Sequence, residues 1–185
     1  MKAERLILGI DPGTNLMGYG ILKVRGKEVV NVVVSGVVDM KKFDDPYLKL
    51  RTIFNRVSQI IEEYLPDELA IESQFFGINV QSMLKLGRAQ GVAIAAALQR
   101  ELPIFEYAPK KIKMSVTGNG EASKEQIAML LPKLLKVKIS PRSFDETDAL
   151  AIAYCHLIQS SASIASKKST DWKDFIKRNP SRVKL

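Results

Sequence analysis

The order of strand-forming and helix-forming segments is the feature that most constrains the fold of this chain. Its first forty residues contain three apolar, β-branched runs, and only short turns near Pro12 and Gly26 separate them: residues 6–10, 18–24 and 29–38. Runs of this composition are typical of strands, and turns this short join antiparallel neighbours. The sequence therefore predicts an antiparallel meander of three strands.

After residue 45 the apolar residues recur with the period of a helix, and strands and helices then alternate. Leu50 to Tyr64 place their apolar side chains on one helical stripe, which Pro66 ends. Further strands are predicted at residues 68–72 and 104–107, and further helices at residues 79–100, 109–116, 123–135 and 144–159. This order predicts an α/β domain with a mixed five-stranded sheet and helices on both faces, as in the ribonuclease H-like fold.

The charge distribution separates a domain from a tail. We predict that residues 1–160 form the folded domain and that residues 161–185 form a flexible basic tail, which begins in a stretch rich in serine and alanine. The last twenty residues contain seven Lys and Arg against two Asp, and so carry most of the chain's net charge of +8. A pI near 9.5 favours a polyanion such as nucleic acid as the partner.

Cysteine usage and apolar segments indicate the compartment. Cys155 is the single cysteine, which excludes an intramolecular disulfide, and we expect it and His156 to be structural. The N-terminal residues lack the long apolar core of a signal peptide, and the apolar stretch at 91–98 is too short to cross a bilayer. We therefore expect a cytoplasmic protein without a membrane partner.

Two acidic residues each end an apolar strand. Asp11 follows the first strand and Glu72 the fourth. Each also has a simple structural explanation, because Asp before Pro-Gly commonly starts a turn and a strand end is solvated. Two carboxylates at equivalent strand ends nevertheless suggest one shared site.

A second acidic pair begins the last predicted helix. Asp145 and Asp148 are three residues apart, which places them on one helical face near the positive end of the helix dipole. An N-cap role would explain Asp145 without chemistry. If this helix end lies beside Asp11 and Glu72, the four carboxylates repel one another unless divalent cations bind them. Oxygen ligands favour Mg²⁺ or Mn²⁺, and paired ions suit phosphodiester hydrolysis.

At these residues the chain resembles the RuvC-type Holliday-junction resolvases. Three segments are similar to the family's motifs in order and spacing: Ile7-Leu-Gly-Ile-Asp11-Pro-Gly-Thr14, Ala70-Ile-Glu72-Ser-Gln-Phe-Phe76 and Asp145-Glu-Thr-Asp148-Ala-Leu-Ala151. The similarity extends from about residue 5 to 160. It implies a bacterial crossover junction endonuclease of recombination and repair, with Asp11, Glu72, Asp145 and Asp148 as catalytic ligands of two Mg²⁺ ions per site, which Mn²⁺ can replace.

The resemblance also implies how junction DNA is contacted and cut. Phe75 occupies the position of an aromatic residue beside the junction, where it could stack on an unpaired base; core packing of Phe75 and Phe76 is the alternative. Lys113 and Lys124 match lysines that contact phosphates and assist cleavage. Lys110 and Lys111 could add phosphate contacts, although most such lysines are simply solvated. Paired symmetric nicks would leave 5′-phosphate and 3′-hydroxyl ends.

One acidic residue departs from the family pattern. Glu146 lies between Asp145 and Asp148, where the family usually has a small residue. Its helical position turns it away from both aspartates, so we expect its carboxylate to be solvated; a role behind the metal ligands is the alternative.

The family resemblance further implies a homodimer that works with a RuvA–RuvB branch-migration complex. Two equivalent active sites suit the approximate two-fold symmetry of a four-way junction. The predicted helix at 79–100 is the best interface candidate, because small residues at Gly87, Gly91 and 93–97 would let a partner helix approach closely. Packing of this face on the sheet is the alternative.

Two other functions remain possible from the residues alone. The segment around Asp11 also resembles the first phosphate loop of an ATP-dependent phosphotransferase of the actin or sugar-kinase type. Such an enzyme needs a second domain and a second phosphate loop following a strand, whereas Gly118 and Gly120 lie between predicted helices. The basic body and tail would also suit a non-catalytic DNA-binding module.

Overall fold

A sheet of five strands forms the centre of the computed structural model, which describes residues 3–73, 79–136 and 143–166. The strands are β1 (Glu4–Asp11), β2 (Leu16–Arg25), β3 (Glu28–Asp39), β4 (Glu68–Glu72) and β5 (Ile104–Tyr107). The helices are α1 (Pro46–Tyr64), α2 (Val80–Leu98), α3 (Pro109–Thr117), α4 (Lys124–Leu135) and α5 (Phe144–Ser166). Side chains are described as far as residue 160.

The strand order is β3-β2-β1-β4-β5, and the sheet is mixed. β1, β2 and β3 form the antiparallel meander that the sequence predicts, whereas β4 and β5 run parallel to β1. Parallel strands need a crossover connection, and α1 and α2 provide it on one face of the sheet. The α/β class and the ribonuclease H-like arrangement are confirmed.

Alternating side chains of the central strands supply two separate cores. Leu8 and Ile10 pack with α1 and α2 on one face, whereas Ile7 packs with α3, α4 and α5 on the other. In β4, Leu69 and Ile71 face the first core and Ala70 the second. The period-two alternation of a strand therefore accounts for helices on both faces, as the sequence predicts.

The last helix is longer than predicted. α5 continues to Ser166, seven residues past the predicted end at 159, so part of the segment assigned to a flexible tail is helical. The serine and alanine residues of this stretch suggested a linker, but alanine is a good helix former and the helix simply propagates through it. Residues 167–185 and the basic loop at 137–142 lie outside the described residues.

Cys155 and His156 are fully buried in this helix, as their structural assignment predicts. The His156 ring hydrogen-bonds through Nδ1 to Tyr107 Oη at 2.7 Å and through Nε2 to Glu68 Oε2 at 2.9 Å. Arg5 donates to the same Glu68 carboxylate. This polar group joins α5 to the starts of β1 and β4 through Arg5 and Glu68, and to the end of β5 through Tyr107.

The small residues of α2 divide between its two sides. Ala93, Ala96 and Ala97 are buried in the core against α1, so the prediction that residues 93–97 all face a partner is wrong for these three. A Cβ atom added to Gly87 or Gly91 would meet nothing within 4 Å, so both glycines do lie on the open side. Within the described residues, every helix falls short of the length and apolarity that a membrane span requires.

Candidate active site

The pairing of β1 with β4 brings Asp11 and Glu72 together. The two strands are parallel neighbours with Ile10 opposite Ile71, so the residue after each, Asp11 and Glu72, occupies the same edge of the sheet. Both carboxylates lie on the face that α5 covers, because they follow the side-chain alternation of Ile7 and Ala70. The buried Gln90 of α2 donates from Nε2 to the Glu72 carbonyl oxygen at 3.0 Å and so fixes the end of β4.

Glycines in β1 and β2 let α5 approach the sheet closely. A Cβ atom on Gly18 would lie 2.0 Å from the Asp145 carbonyl oxygen, and one on Gly9 would lie 2.1 Å from the Ala149 carbonyl oxygen. Any larger residue would push the helix away. Because Gly18 pairs with Asp11 across the β1–β2 ladder, this contact sets the first turn of α5 beside Asp11.

Ser143, rather than Asp145, caps the start of α5. The Ser143 hydroxyl oxygen accepts a hydrogen bond from the Glu146 backbone N–H at 3.2 Å, and its carbonyl accepts one from the Thr147 backbone N–H at 3.3 Å. The helix begins at Phe144, so Asp145 already lies within the first turn. The N-cap explanation of Asp145 is therefore wrong, and its carboxylate is not used in capping.

The acidic side chains form one electrostatic cluster. Burial, followed by the negative charges of Glu72 and Asp148, raises the pKa of Asp11 to about 8, and Asp145 adds to this effect. Burial and then Asp148 raise the pKa of Glu72 to about 6. The pKa of Asp148 is also raised, chiefly by burial. Burial and mutual repulsion thus disfavour the fully ionised form of the cluster.

Two lysines border this cluster. Lys124, at the start of α4, forms an ion pair with Asp148, whose side chain is only 13% exposed. Burial alone would lower the pKa of Lys124, but the contact with Asp148 and the charges of Asp11 and Asp145 outweigh it, and the pKa is raised. The positive charge of Lys113 in α3 lowers the pKa of Glu72 and Asp148. Both predicted lysines are therefore close to the carboxylates.

The other residues predicted to contact DNA are Lys110, Lys111 and Phe75. Lys110 forms an exposed ion pair with Glu121, with Nζ 2.5 Å from Oε1. The Nζ atom of Lys111 lies 6.0 Å from the centre of the Tyr107 ring. Phe75 lies outside the described residues.

Glu146 is buried, which contradicts the expectation of a solvated side chain. Only 8% of the residue is exposed, and the Ser35 hydroxyl of β3 donates a hydrogen bond of 2.6 Å to its Oε1 atom. The helical position of Glu146 does turn its side chain away from Asp145 and Asp148, as predicted. The side chain points toward the edge strand β3, however, and not toward water. Sequence reasoning missed Ser35, because its pairing with Glu146 spans 111 residues.

The donor chemistry of the cluster fits a hard divalent cation. All four donors are carboxylates, and the raised pKa values of Asp11 and Glu72 reflect burial and repulsion that a cation would relieve. Among the described side chains, however, no three acidic, histidine or cysteine groups surround a common point. Binding therefore requires the carboxylates to turn toward the ion.

A groove lined by three basic residues and one acidic residue, Asp44, lies beside the loop that follows Asp11. Its floor is apolar, and Thr14 and Asn15 form part of its rim. Lys49 of α1 and Lys85 and Arg88 of α2 line it. The spacing of Lys85 and Arg88 on one helical face was visible in the sequence, but only the packing of α1 against α2 brings Lys49 beside them.

Comparison with known proteins identifies relatives over nearly the whole chain. Residues 7–156 match the model of a protein family described as crossover junction endodeoxyribonuclease RuvC. The protein of that name from Bacteroides fragilis is 58% identical over 98% of this chain and 97% of its own length. The one from Salinibacter ruber is 40% identical over 96% of this chain and 98% of its own length.

Solved structures agree with this match. The structure of Thermus thermophilus RuvC in complex with Holliday junction substrate has a TM-score of 0.79 and 29% identity, over 86% of this chain and 96% of that one. A yeast mitochondrial Holliday junction resolvase has a TM-score of 0.60 at 14% identity, over 93% of this chain and 83% of that one, which shows the shared fold.

Proposed function

The chain belongs to the crossover junction endodeoxyribonuclease RuvC family, and on this basis we propose that it resolves four-way DNA junctions by nicking two strands symmetrically. The junction-bound relative from Thermus thermophilus supports this choice of substrate. Membership of a family of nucleases argues against both alternatives, the ATP-dependent phosphotransferase and the non-catalytic DNA-binding module. The cluster of four carboxylates at one edge of the sheet is the observation that carries the proposal.

Asp11, Glu72, Asp145 and Asp148 are the proposed ligands of Mg²⁺, in a family of metal-dependent nucleases. We infer two ions per site, with Mn²⁺ as a substitute. When bound, such ions supply an activated water and stabilise the negative charge that develops during phosphodiester hydrolysis. In the metal-free protein, burial and mutual repulsion disfavour full ionisation of these carboxylates, and bound cations would displace the proton of Asp11 and relieve the repulsion. The products are a 5′-phosphate and a 3′-hydroxyl.

Lys124 and Lys113 are proposed to hold the scissile strand beside the carboxylates. Lys124 keeps its positive charge, because the surrounding carboxylates raise its pKa. It can therefore exchange Asp148 for a DNA phosphate when cations occupy the cluster. Lys110 and Lys111 remain candidates for outer phosphate contacts. Phe75 is proposed to stack on an unpaired base at the crossover.

The groove lined by Lys49, Lys85 and Arg88 extends this surface. Lys85 and Arg88 are exposed, and neither forms an ion pair with another described residue. Positive side chains that are free in this way suit a DNA backbone leaving the carboxylates past Thr14 and Asn15.

The functional unit is proposed to be a homodimer that forms through the open side of α2. Three large apolar residues there are exposed to solvent: Val80 at 63%, Leu84 at 54% and Leu98 at 60%. They share one helical stripe with Gly87 and Gly91, where no described atom lies near the missing side chains. An apolar stripe with small residues at its centre suits close contact with a second copy of the same helix. Each protomer would supply one cutting centre.

Two further assignments rest on the family alone. We propose that a RuvA–RuvB branch-migration complex is the cellular partner. Recombining DNA as the substrate, together with the bacterial relatives, supports a bacterial cytoplasmic location.

A nicking assay on a synthetic four-way junction tests the proposed function. Asp11→Asn, Glu72→Gln, Asp145→Asn and Asp148→Asn should each abolish Mg²⁺-dependent cleavage. A gel shift should show that junction binding persists, because phosphate contacts provide most of the affinity. Glu62→Gln, at an exposed carboxylate paired with Arg100, is the matched control and should cleave normally. Near-normal cleavage by the Asp11 or Glu72 variant would refute the metal-site assignment.

A further inference from the structure

Glu146 is a buried carboxylate whose interior position requires compensation. It follows Asp145 directly in the first turn of α5, yet it points toward β3, where the Ser35 hydroxyl donates to it over 2.6 Å. Leaving a charged group in the interior is costly unless hydrogen bonds satisfy it. The bond therefore holds two distant parts of the chain in one relative position.

The Lys124–Asp148 ion pair also links the start of α5 to another element, but in the proposed function Lys124 exchanges Asp148 for DNA. Gly18 and Gly9 beneath the first turn of α5 provide clearance but no side chain that could interlock with the helix. Ser143 caps the backbone, which defines where the helix begins but not which way its faces point. The Ser35–Glu146 bond acts on a side chain, and so can set that direction.

The direction matters because consecutive helical residues are about 100° apart. With Glu146 bound to the edge strand, Asp145 and Asp148 lie close enough to Asp11 to raise its pKa, and Asp148 also raises the pKa of Glu72. A metal-binding group of side chains must be held to within about 0.5 Å to function. A small rotation of this turn would exceed that tolerance.

We propose that Glu146 is a positioning residue that, through Ser35, holds the first turn of α5 in the rotation from which Asp145 and Asp148 can turn toward a metal ion. This inference rests on the proposed function, in which those aspartates are ligands. Loss of a residue that orients a metal ligand typically lowers metal affinity or activity about 10- to 100-fold.

The test uses four variants of the full-length protein: Ser35→Ala, Glu146→Ala, their combination, and Glu146→Gln. Mg²⁺ binding is measured without DNA, as the Mg²⁺ concentration giving half of the maximal increase in melting temperature. We expect Ser35→Ala to raise that concentration about tenfold. Glu146→Ala should raise that concentration at least as much. The double variant should require little more Mg²⁺ than Glu146→Ala alone, because both substitutions remove the same hydrogen bond. Glu146→Gln still accepts the Ser35 bond and should stay near the wild type.

Kinetics and a control separate positioning from loss of stability. The kcat for junction cleavage should fall in Ser35→Ala, with the junction Kd unchanged. Val34→Ala, which weakens the opposite face of the same strand, should lower the melting temperature without changing the Mg²⁺ requirement. If Glu146→Ala fails to fold, Ser35→Ala and Glu146→Gln still decide the question.

Two outcomes would overturn the proposal. In the first, Ser35→Ala requires the same Mg²⁺ concentration as the wild type. In the second, Val34→Ala raises the required Mg²⁺ concentration as much as Ser35→Ala does. Either result would leave the nuclease assignment intact, provided that Asp148→Asn is inactive. Cleavage by Asp148→Asn would instead refute the proposed function itself.

Discussion

The substitution Asp11→Asn should change how the stability of the metal-free protein depends on pH. Burial and then the charges of Glu72 and Asp148 raise the pKa of Asp11 from 3.8 to about 8 in the folded protein. Unfolding removes both causes. Between about pH 4 and pH 8, the folded protein therefore holds a proton on Asp11 that the unfolded chain has released. This contribution to stability is complete below pH 4 and is lost as the pH rises through 8.

The expected magnitude follows from one proton. A difference of one bound proton changes the free energy of unfolding by about 1.4 kcal/mol per pH unit. Glu72, with a pKa of about 6, adds to this slope mainly below pH 6. From pH 6.5 to 7.5 the wild type should thus lose up to about 1 kcal/mol more than Asp11→Asn, whose amide does not titrate.

Urea unfolding in EDTA at pH 6.5, 7.0 and 7.5 measures this difference directly. Asp44→Asn, at an exposed position outside the cluster, is the matched control and should keep the wild-type slope. Repeating the series with saturating Mg²⁺ should flatten the slope of the wild type, because a bound cation displaces the proton and neither the folded nor the unfolded Asp11 then carries one. Parallel stability curves for the wild type and Asp11→Asn in EDTA would show that the buried carboxylate does not hold this proton.

Three further predictions concern DNA binding and assembly. Phe75→Ala should impair cleavage of fully paired junctions more than of junctions loosened at the crossover; an equal loss with a lower melting temperature would favour a core role. Deleting residues 166–185 removes seven Lys and Arg and two Asp, so junction affinity should fall and depend less on salt, and an unchanged salt slope would assign the tail another purpose. Light scattering should give about twice the 20.6 kDa chain mass, and Gly91→Arg should give monomers that do not resolve junctions, whereas Ser82→Arg, on the opposite side of α2, should remain dimeric. A wild type that is monomeric both free and on DNA, yet still makes paired cuts, would contradict the dimer.

Local patterns were sufficient to predict the elements of the fold. The structure contains the three strands of the meander, the helix that ends near Pro66 and the helix predicted at residues 123–135. Each depends on interactions within a few residues, which composition and spacing report directly. Boundaries were less certain, and α5 extends past its predicted end because no glycine or proline stops it before Ser166.

The sequence by itself determined which residues could carry the chemistry. Asp11 and Glu72 end apolar strands, and Asp145 and Asp148 share one face of a helix, whatever surrounds them. Such positions follow from strand alternation and helical period, which are properties of the local chain. The family resemblance rests on the same short motifs.

Only the tertiary structure decided how those residues meet. The parallel pairing of β1 with β4 sets Asp11 beside Glu72, and the close contact of α5 with Gly18 brings the second acidic pair to them. The prediction that Glu146 is solvated was wrong for the same reason, because its hydrogen-bond partner Ser35 is 111 residues away in the sequence. Contacts between segments so distant in sequence depend on the packing of the whole chain, and no local period reports them.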